Sequence, residues 1–369
     1  MGPGDVLAWA VGDESHVLVL GRPGSGKSTL VRLALAGARD YPALVFDYVG
    51  NYRGFVDYYG PYPINPLEFI DASDLVDALA RVILTVYGRV NAMTPAMEEA
   101  VLTAIETCGD RPSIPCAIQW LLTLGERYWR SEDMVNAMRG ARRRMLVLLN
   151  NQLFGTETHP VLAQWIAGDL NAQVGIDLSG VGLQRAIAYV TILLTVLARR
   201  EGRLSRRWRF VIVDEAQYFS SGLGEGVSPL EEAVRVGRNY GLLFIAITQN
   251  DRYLESFRDV FKVVIDFNRS SQPRRARFIA YPTNPALAGN ALSRTIEDMP
   301  VVKDFVNVDP GLLDGVRRRG VDWLECLRRC NADWSPRRLS VVRVSRTGAV
   351  EVRDLRARSP CLWECLGNG

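Results

Sequence analysis

Three short stretches hold the residue types best suited to chemistry. In VLVLGRPGSGKSTL, residues Gly21, Arg22, Pro23, Gly24, Ser25, Gly26, Lys27, Ser28 and Thr29 satisfy G-x-x-x-x-G-K-[ST], after a β-rich run and at the opening of a helical one. Glycines let the main chain wrap an anion, and the amides of a helix N-terminus attract negative charge. Lys27 would reach the β- and γ-phosphates of ATP, and Ser28 would ligate Mg2+. A chance glycine-rich turn is the bland alternative, but it does not account for the strand-then-helix context. Lysine occurs elsewhere only at Lys262 and Lys303, every other basic side chain but histidine being arginine. A chain that writes arginine almost everywhere keeps a lysine in this loop.

The second stretch is RFVIVDEAQ, in which four apolar residues deliver Asp214 and Glu215 to the end of a strand. Ligands of open α/β sheets bind at that edge. Asp214 would complete the magnesium shell, and Glu215 would polarise an attacking water. Acidic residues capping a helix N-terminus are the alternative. The third stretch is VRVGRNYGLLFIAITQN. If its apolar run lies beside the Asp214 strand, Gln249 emerges near the γ-phosphate, where an amide can donate to phosphate and accept from water. Gln249 could equally be a strand-end polar cap. Arg235 and Arg238 end the preceding helix, where cations suit the helix dipole. The functional reading of Arg238 is an arginine finger donated to the ATP of a neighbouring subunit.

These residues need a scaffold, and the pattern supplies one. Strand character at Val17–Leu20, Ala43–Tyr48, Val174–Leu178, Phe210–Val213, 242–248 and Val263–Phe267 alternates with helical stretches at 27–38, 183–201 and 229–239. That order predicts an α/β fold with a mainly parallel sheet and helices on both faces. From 71 to 166 apolar residues recur at helical spacing, predicting an all-helical insertion broken by the loop GDRPSIP. The expected organisation is an ATPase core over 1–70 and 167–280, the insertion over 71–166, and a C-terminal extension over 281–369. In that extension LSVVRVSRTGAVEVRDL reads as a β-hairpin about a Thr-Gly turn.

Composition bounds the rest. At 369 residues, 48% apolar and 23% charged, the chain can bury a sizeable core. A net charge of +3 gives no global basic field announcing nucleic acid. The arginine bias fits a GC-rich genome or a hot habitat. The longest apolar run, AIAYVTILLTVLA, is too short to span a bilayer, and no signal segment opens the sequence, so a cytoplasmic location is expected. Only His16 and His159 are present, which leaves a histidine metal centre or a Ser-His-Asp triad without support.

Four blocks in order, GRPGSGKS, VFDYVGNYRG, VIVDEAQYF and GRNYGLLFIAITQN, resemble the HerA–FtsK group of ring-forming DNA-pumping ATPases, and HerA most. The resemblance covers about 15–270 and implies a RecA-like P-loop NTPase core, a hexameric ring and duplex DNA threaded through a basic pore. It adds weight to Arg238 and Gln249, which stand where the family has its Gly-Arg-Lys-x-Gly segment and sensor glutamine. The segment after the second strand runs Asp47, Gly50, Asn51, Tyr52, and Asn51 replaces the usual acid. Fewer than twenty residues precede the P-loop strand, so the expectation is a short form without the family's N-terminal β-barrel, which docks a partner nuclease. That points as well to genome packaging on a viral capsid, or to a secretion- or conjugation-type ATPase without DNA pumping. Arg142–Arg144, RLSRRWR and PRRAR at 273–277 are the candidate pore segments, each also readable as solvated surface.

The six cysteines fall in pairs. Cys326/Cys330 and Cys361/Cys365 are each spaced C-x-x-x-C, placing both sulfurs on one helical face, and Cys108/Cys116 flank the GDRPSIP loop. Disulfides, a zinc site and buried reduced thiols all remain open.

Overall fold

The computed structural model describes residues 3–38, 40–127, 131–149, 152–199, 208–220, 228–268, 276–280, 292–296, 341–344 and 350–353. Helix α1 (Pro3–Gly12) leads into β1 (Val17–Leu20), α2 (Lys27–Gly37), β2 (Ala43–Asp47) and the short β3 (Tyr58–Gly60). Five helices follow: α3 (Ala72–Tyr87), α4 (Pro95–Glu106), α5 (Ile114–Arg127), α6 (Glu132–Leu149) and α7 (Pro160–Ala167). Alternation then resumes with β4 (Gln173–Asp177), α8 (Leu183–Arg199), β5 (Arg209–Val213), α9 (Gln217–Ser220), α10 (Pro229–Gly237), β6 (Leu242–Thr248) and β7 (Val263–Asp266). Strands β8 (Ala276–Ala280), β9 (Leu292–Ile296), β10 (Val341–Val344) and β11 (Val350–Arg353) complete the described elements.

The sheet has nine strands in the order β3-β4-β2-β5-β6-β1-β7-β8-β9, and the first seven are parallel. Strands β8 and β9 add antiparallel at one edge, and β10 pairs antiparallel with β11 in the expected hairpin. Strands β1, β2, β5 and β6 are buried along their whole length, as strands covered on both faces must be. Alternate side chains sort to the two faces. Val17, Val19, Val45 and Ile245 pack with Leu7 of α1 and Leu30 of α2, whereas Leu18, Leu44, Phe46 and Phe244 pack with α3, α8 and α10.

Local chemistry sets the helix starts. Asp71, Thr94 and Ser228 accept from the amides of Asp74, Met97 and Glu231, and Pro95 and Pro229 stand in the first turns that follow. Buried residues of α3–α7 join those of α8, α10 and one sheet face in a single apolar cluster. Arg81–Glu232, Arg199–Glu232 and Arg199–Asp74 ion pairs (2.6, 3.1 and 3.5 Å) tie α3, α8 and α10 together. Cys108 and Cys116 are disulfide-bonded across the GDRPSIP loop, joining the end of α4 to the start of α5. Cys326, Cys330, Cys361 and Cys365 lie outside the described residues.

Both histidines serve structure. His159 caps α7, its Nδ1 accepting from Val161 N–H at 3.3 Å. Buried His16 accepts the Phe244 amide on Nδ1 at 2.9 Å, and burial first, then Arg238, drives its pKa down to about 3. Among the described residues no group of three or more His, Cys, Asp or Glu could hold a metal ion, and no helix is long and apolar enough to cross a membrane.

Candidate functional site

Residues 21–26 connect β1 to α2 at the C-terminal edge of the sheet, and their geometry depends on glycine. A Cβ on Gly21 would lie 2.4 Å from Ser25 Oγ and 2.8 Å from Phe267 Cβ. Gly24 (φ 74°) and Gly26 (φ 106°) take left-handed backbone, which costs L side chains strain. Gly21 N–H donates to the Thr248 carbonyl at 3.3 Å and Arg22 N–H to Asn268 Oδ1 at 3.2 Å, fixing the loop to β6 and to the turn after β7. Helix α2 starts at Lys27 with Gly26 as N-cap and no capping side chain. The amides of its first turn are thus directed at the loop without a side-chain acceptor. Ser25 Oγ is buried with no hydrogen-bond partner among the described residues.

Lys27 is buried in this cradle and donates to the Arg22 carbonyl at 3.1 Å. Burial lowers its pKa, while Glu215 and Asp214 act in the opposite direction. Ser28 Oγ donates to Asp214 Oδ2 at 3.1 Å, bridging 186 positions of sequence. Asp214 is 1% exposed; burial, then Glu215 and Asp47, push its carboxyl up to about 6. A cluster of acids with one buried ammonium, at an uncapped helix N-terminus, fits a polyphosphate and a divalent cation together. Ser28 and Asp214 are the residues that could hold the cation.

Behind the carboxylates lies a buried polar layer. Asp47 accepts from the amides of Gly50, Asn51 and Tyr52 (2.8, 3.0 and 2.7 Å) and from the Tyr59 hydroxyl at 2.9 Å. Asp47 therefore shapes the turn, and Asn51 contributes its backbone to it. Burial still outweighs those bonds and raises the Asp47 pKa. Buried Tyr52 stands beside Asp214, and burial followed by the Asp214 charge raises its pKa well above the usual phenol. Arg32 donates to the carbonyls of Ser28 and Asn51 (3.3 Å each) and to Thr29 Oγ1 at 3.1 Å, placing a fixed cation beneath the loop.

Glu215 has φ 53°, uncommon for a residue with a side chain. Gln249 Nε2 donates to both its oxygens, at 3.1 and 3.3 Å. In this arrangement the amide of Gln249 is engaged with the acid. Two residues that the sequence did not single out join them: Gln217 Nε2 bonds Glu215 Oε2, and Thr248 Oγ1 donates to Gln217 Oε1 at 2.8 Å. Position was the available signal, since Gln217 stands two residues after Glu215 and Thr248 one before Gln249.

The two arginines separate. Arg235 pairs with Glu231 four residues earlier (2.9 Å) and donates to the Ser256 carbonyl. Arg238 is exposed; its carbonyl accepts from Gly241 N–H at 3.1 Å, and its side chain makes no hydrogen bond or ion pair among the described residues. It precedes β6, whereas Gln249 follows it, so the two occupy opposite edges of the sheet. Seven strand residues at about 3.3 Å each separate them by roughly 20 Å.

The basic segments also differ. Arg144 is tied to the carbonyls of Asn91 and Gly140, while exposed Arg143 lines a groove between α5 and α6. From RLSRRWR only Trp208 and Arg209 are described, and Arg209 turns inward: it donates to the carbonyls of Trp165, Gly168 and Leu170 and to Asn171 Oδ1. The side chains of 273–277 lie outside the described residues.

No protein-family model and no curated protein sequence matches this chain. Solved structures do. A bacterial conjugative coupling protein, TrwBdeltaN70, in a trigonal form in complex with sulphate, is similar at 16% identity over 83% of this chain and 81% of that one, with a TM-score of 0.52. VirB4 of Thermoanaerobacter pseudethanolicus is similar at 14% identity over 77% and 90%, with a TM-score of 0.53. The plasmid coupling protein TrwB in complex with ADP and Mg2+ gives 14% identity over 81% and 79%, with a TM-score of 0.51. At such identities the likeness concerns the fold, which is that of a P-loop NTPase.

Proposed function

We propose that this chain is an ATP-hydrolysing motor of the HerA–FtsK type that works as an oligomeric ring on duplex DNA. The observation that carries the reading is the Ser28–Asp214 hydrogen bond at the uncapped start of α2, with Lys27 and Glu215 beside it. The TrwB structure in complex with ADP and Mg2+ supports the choice of nucleotide and cation. Loop amides and Lys27 bind and orient the β- and γ-phosphates. Ser28 and Asp214 hold Mg2+, which when bound neutralises phosphate charge. Glu215 orients the attacking water and takes up its proton on a carboxylate oxygen. Arg238, exposed at the opposite edge of the sheet, completes the site of the next subunit.

A conjugation- or secretion-type ATPase is the second reading, favoured by the likeness in fold to a bacterial conjugative coupling protein and to VirB4. The test is ATP turnover with and without duplex DNA, on protein sized by light scattering. Lys27→Ala should weaken nucleotide binding, and Glu215→Gln should bind ATP without turning it over. DNA stimulation that falls steeply with salt supports the motor on DNA. Turnover indifferent to DNA removes that part and leaves the second reading, and normal turnover in both variants removes the site assignment.

A further inference from the structure

We propose that Gln217 is a positioning residue for Glu215, and that Thr248 makes this positioning depend on strand β6; the inference rests on reading Glu215 as the group that activates water. The turn carrying Glu215 is held by two hydrogen bonds that flank its left-handed backbone. Its own N–H donates to Asp214 Oδ1 at 2.9 Å, the Ala216 N–H to the Ile247 carbonyl at 2.8 Å, and the left-handed backbone at Glu215 lies between them. A side chain on such a turn has few other supports. Two primary amides provide them, one from the helix that follows (Gln217) and one from the end of the neighbouring strand (Gln249).

The two amides do different work. Gln249 is exposed and divides its donation between both carboxylate oxygens, at 3.1 and 3.3 Å. Gln217 is half-buried and meets the carboxylate at Oε2. An amide that can turn over needs something to fix its sense, because the reversed form sets Oε1 against the carboxylate. Here Thr248 Oγ1 donates to Gln217 Oε1 at 2.8 Å, so the hydroxyl and the carboxylate select the same orientation. The Thr248 hydroxyl has one proton and a second acceptor, the Asn250 carbonyl at 3.0 Å. When that proton turns to Asn250, the Thr248 hydroxyl no longer fixes Gln217 Oε1, and the hold on Glu215 slackens. The set of the chain just after β6 thereby reaches the acid, which keeps Oε1 as the less encumbered oxygen for the proton of water.

The measurement is steady-state turnover at saturating ATP, together with the affinity for a fluorescent ADP analogue, on full-length Gln217→Leu, Thr248→Val, the double variant and Thr248→Ser. A misplaced acid should lower kcat by about 10- to 100-fold. The expected pattern is such a loss in Gln217→Leu and in Thr248→Val, no further loss in the double variant, ADP-analogue affinity within about twofold of wild type, and recovery in Thr248→Ser. Losses that multiply in the double variant, a normal kcat in Thr248→Val, or a defect confined to nucleotide affinity overturns the inference. Should Gln217→Leu fail to fold, the nearly isosteric Thr248→Val against Thr248→Ser decides the matter. Wild-type protein without any hydrolysis overturns the ATPase reading and this inference together, whereas hydrolysis indifferent to both positions overturns the inference alone.

Discussion

Replacing Asp214 by asparagine should make the nucleotide-free protein more stable while removing its capacity to hold the cation. Asp214 is almost wholly buried, and burial with the Glu215 and Asp47 charges raises its carboxyl from 3.8 to about 6. That rise of about two pKa units corresponds to about 3 kcal/mol against the ionised form in the native state. Asparagine removes the charge but disturbs the bonds from Ser28 Oγ and Glu215 N–H, at about 1 kcal/mol. The net expectation is a gain of about 2 kcal/mol at pH 7.5. Because the native pKa lies above the unfolded one, the native state retains a proton that the unfolded chain has released between about pH 4 and 6. Wild-type stability from this group therefore declines as pH rises through that window and levels off above it. The advantage of Asp214→Asn should accordingly be full at pH 7.5 and largely gone near pH 4. Urea denaturation with chelator present, at both pH values, measures the difference. A variant less stable than wild type at pH 7.5, or an advantage independent of pH, would refute the reasoning.

Arg238→Ala should reduce turnover of the assembled protein by about 10³-fold, whereas Arg235→Ala, which loses only a local pair, should change it by less than about threefold; mixing Arg238→Ala with Glu215→Gln subunits should restore activity if the arginine acts across a subunit boundary, and no restoration would place it elsewhere. Replacing Cys108 and Cys116 by serine should cost about 2–3 kcal/mol in urea denaturation, the loop-entropy value for a disulfide spanning a sequence separation of 8. Arg209→Met should cost about 2–4 kcal/mol by the same assay, since it strips the charged donor from three backbone carbonyls in the last turn of α7 and just after it.

The candidate phosphate loop was legible in its placement because its residues are contiguous: glycines, lysine and hydroxyl stand within eight positions, and the strand and helix around them announce themselves by pattern. Asp214 was legible for the same local reason, although its bond to Ser28 spans most of the core. The Glu215–Gln217–Thr248 chain was not, because it exists only once β5 and β6 lie side by side in register. Arg235 and Arg238 looked alike as basic residues ending a helix. Yet Glu231 stands four positions before Arg235, a spacing that favours a local pair and was readable in advance. Short β3 escaped because Gly60, Pro61 and Pro63 crowd it, and the antiparallel β8 and β9 because their pairing depends on contacts along the sheet edge.

Strand β6 lies inside the sheet, bonded to β5 on one side and β1 on the other, and every one of its residues is buried. Sliding it by a single residue would break two ladders at once and reverse the facing of Leu243 through Ile247. Displacement along its axis is therefore closed to it, and the freedom left resides in its two terminal joints. One is left-handed Gly241 after Arg238, and the other is the Thr248–Asn250 corner. In mechanical terms β6 is a fixed shaft with a pivot at each end. Its amides should be among the last in the molecule to exchange with deuterated water, while those at the two pivots exchange early.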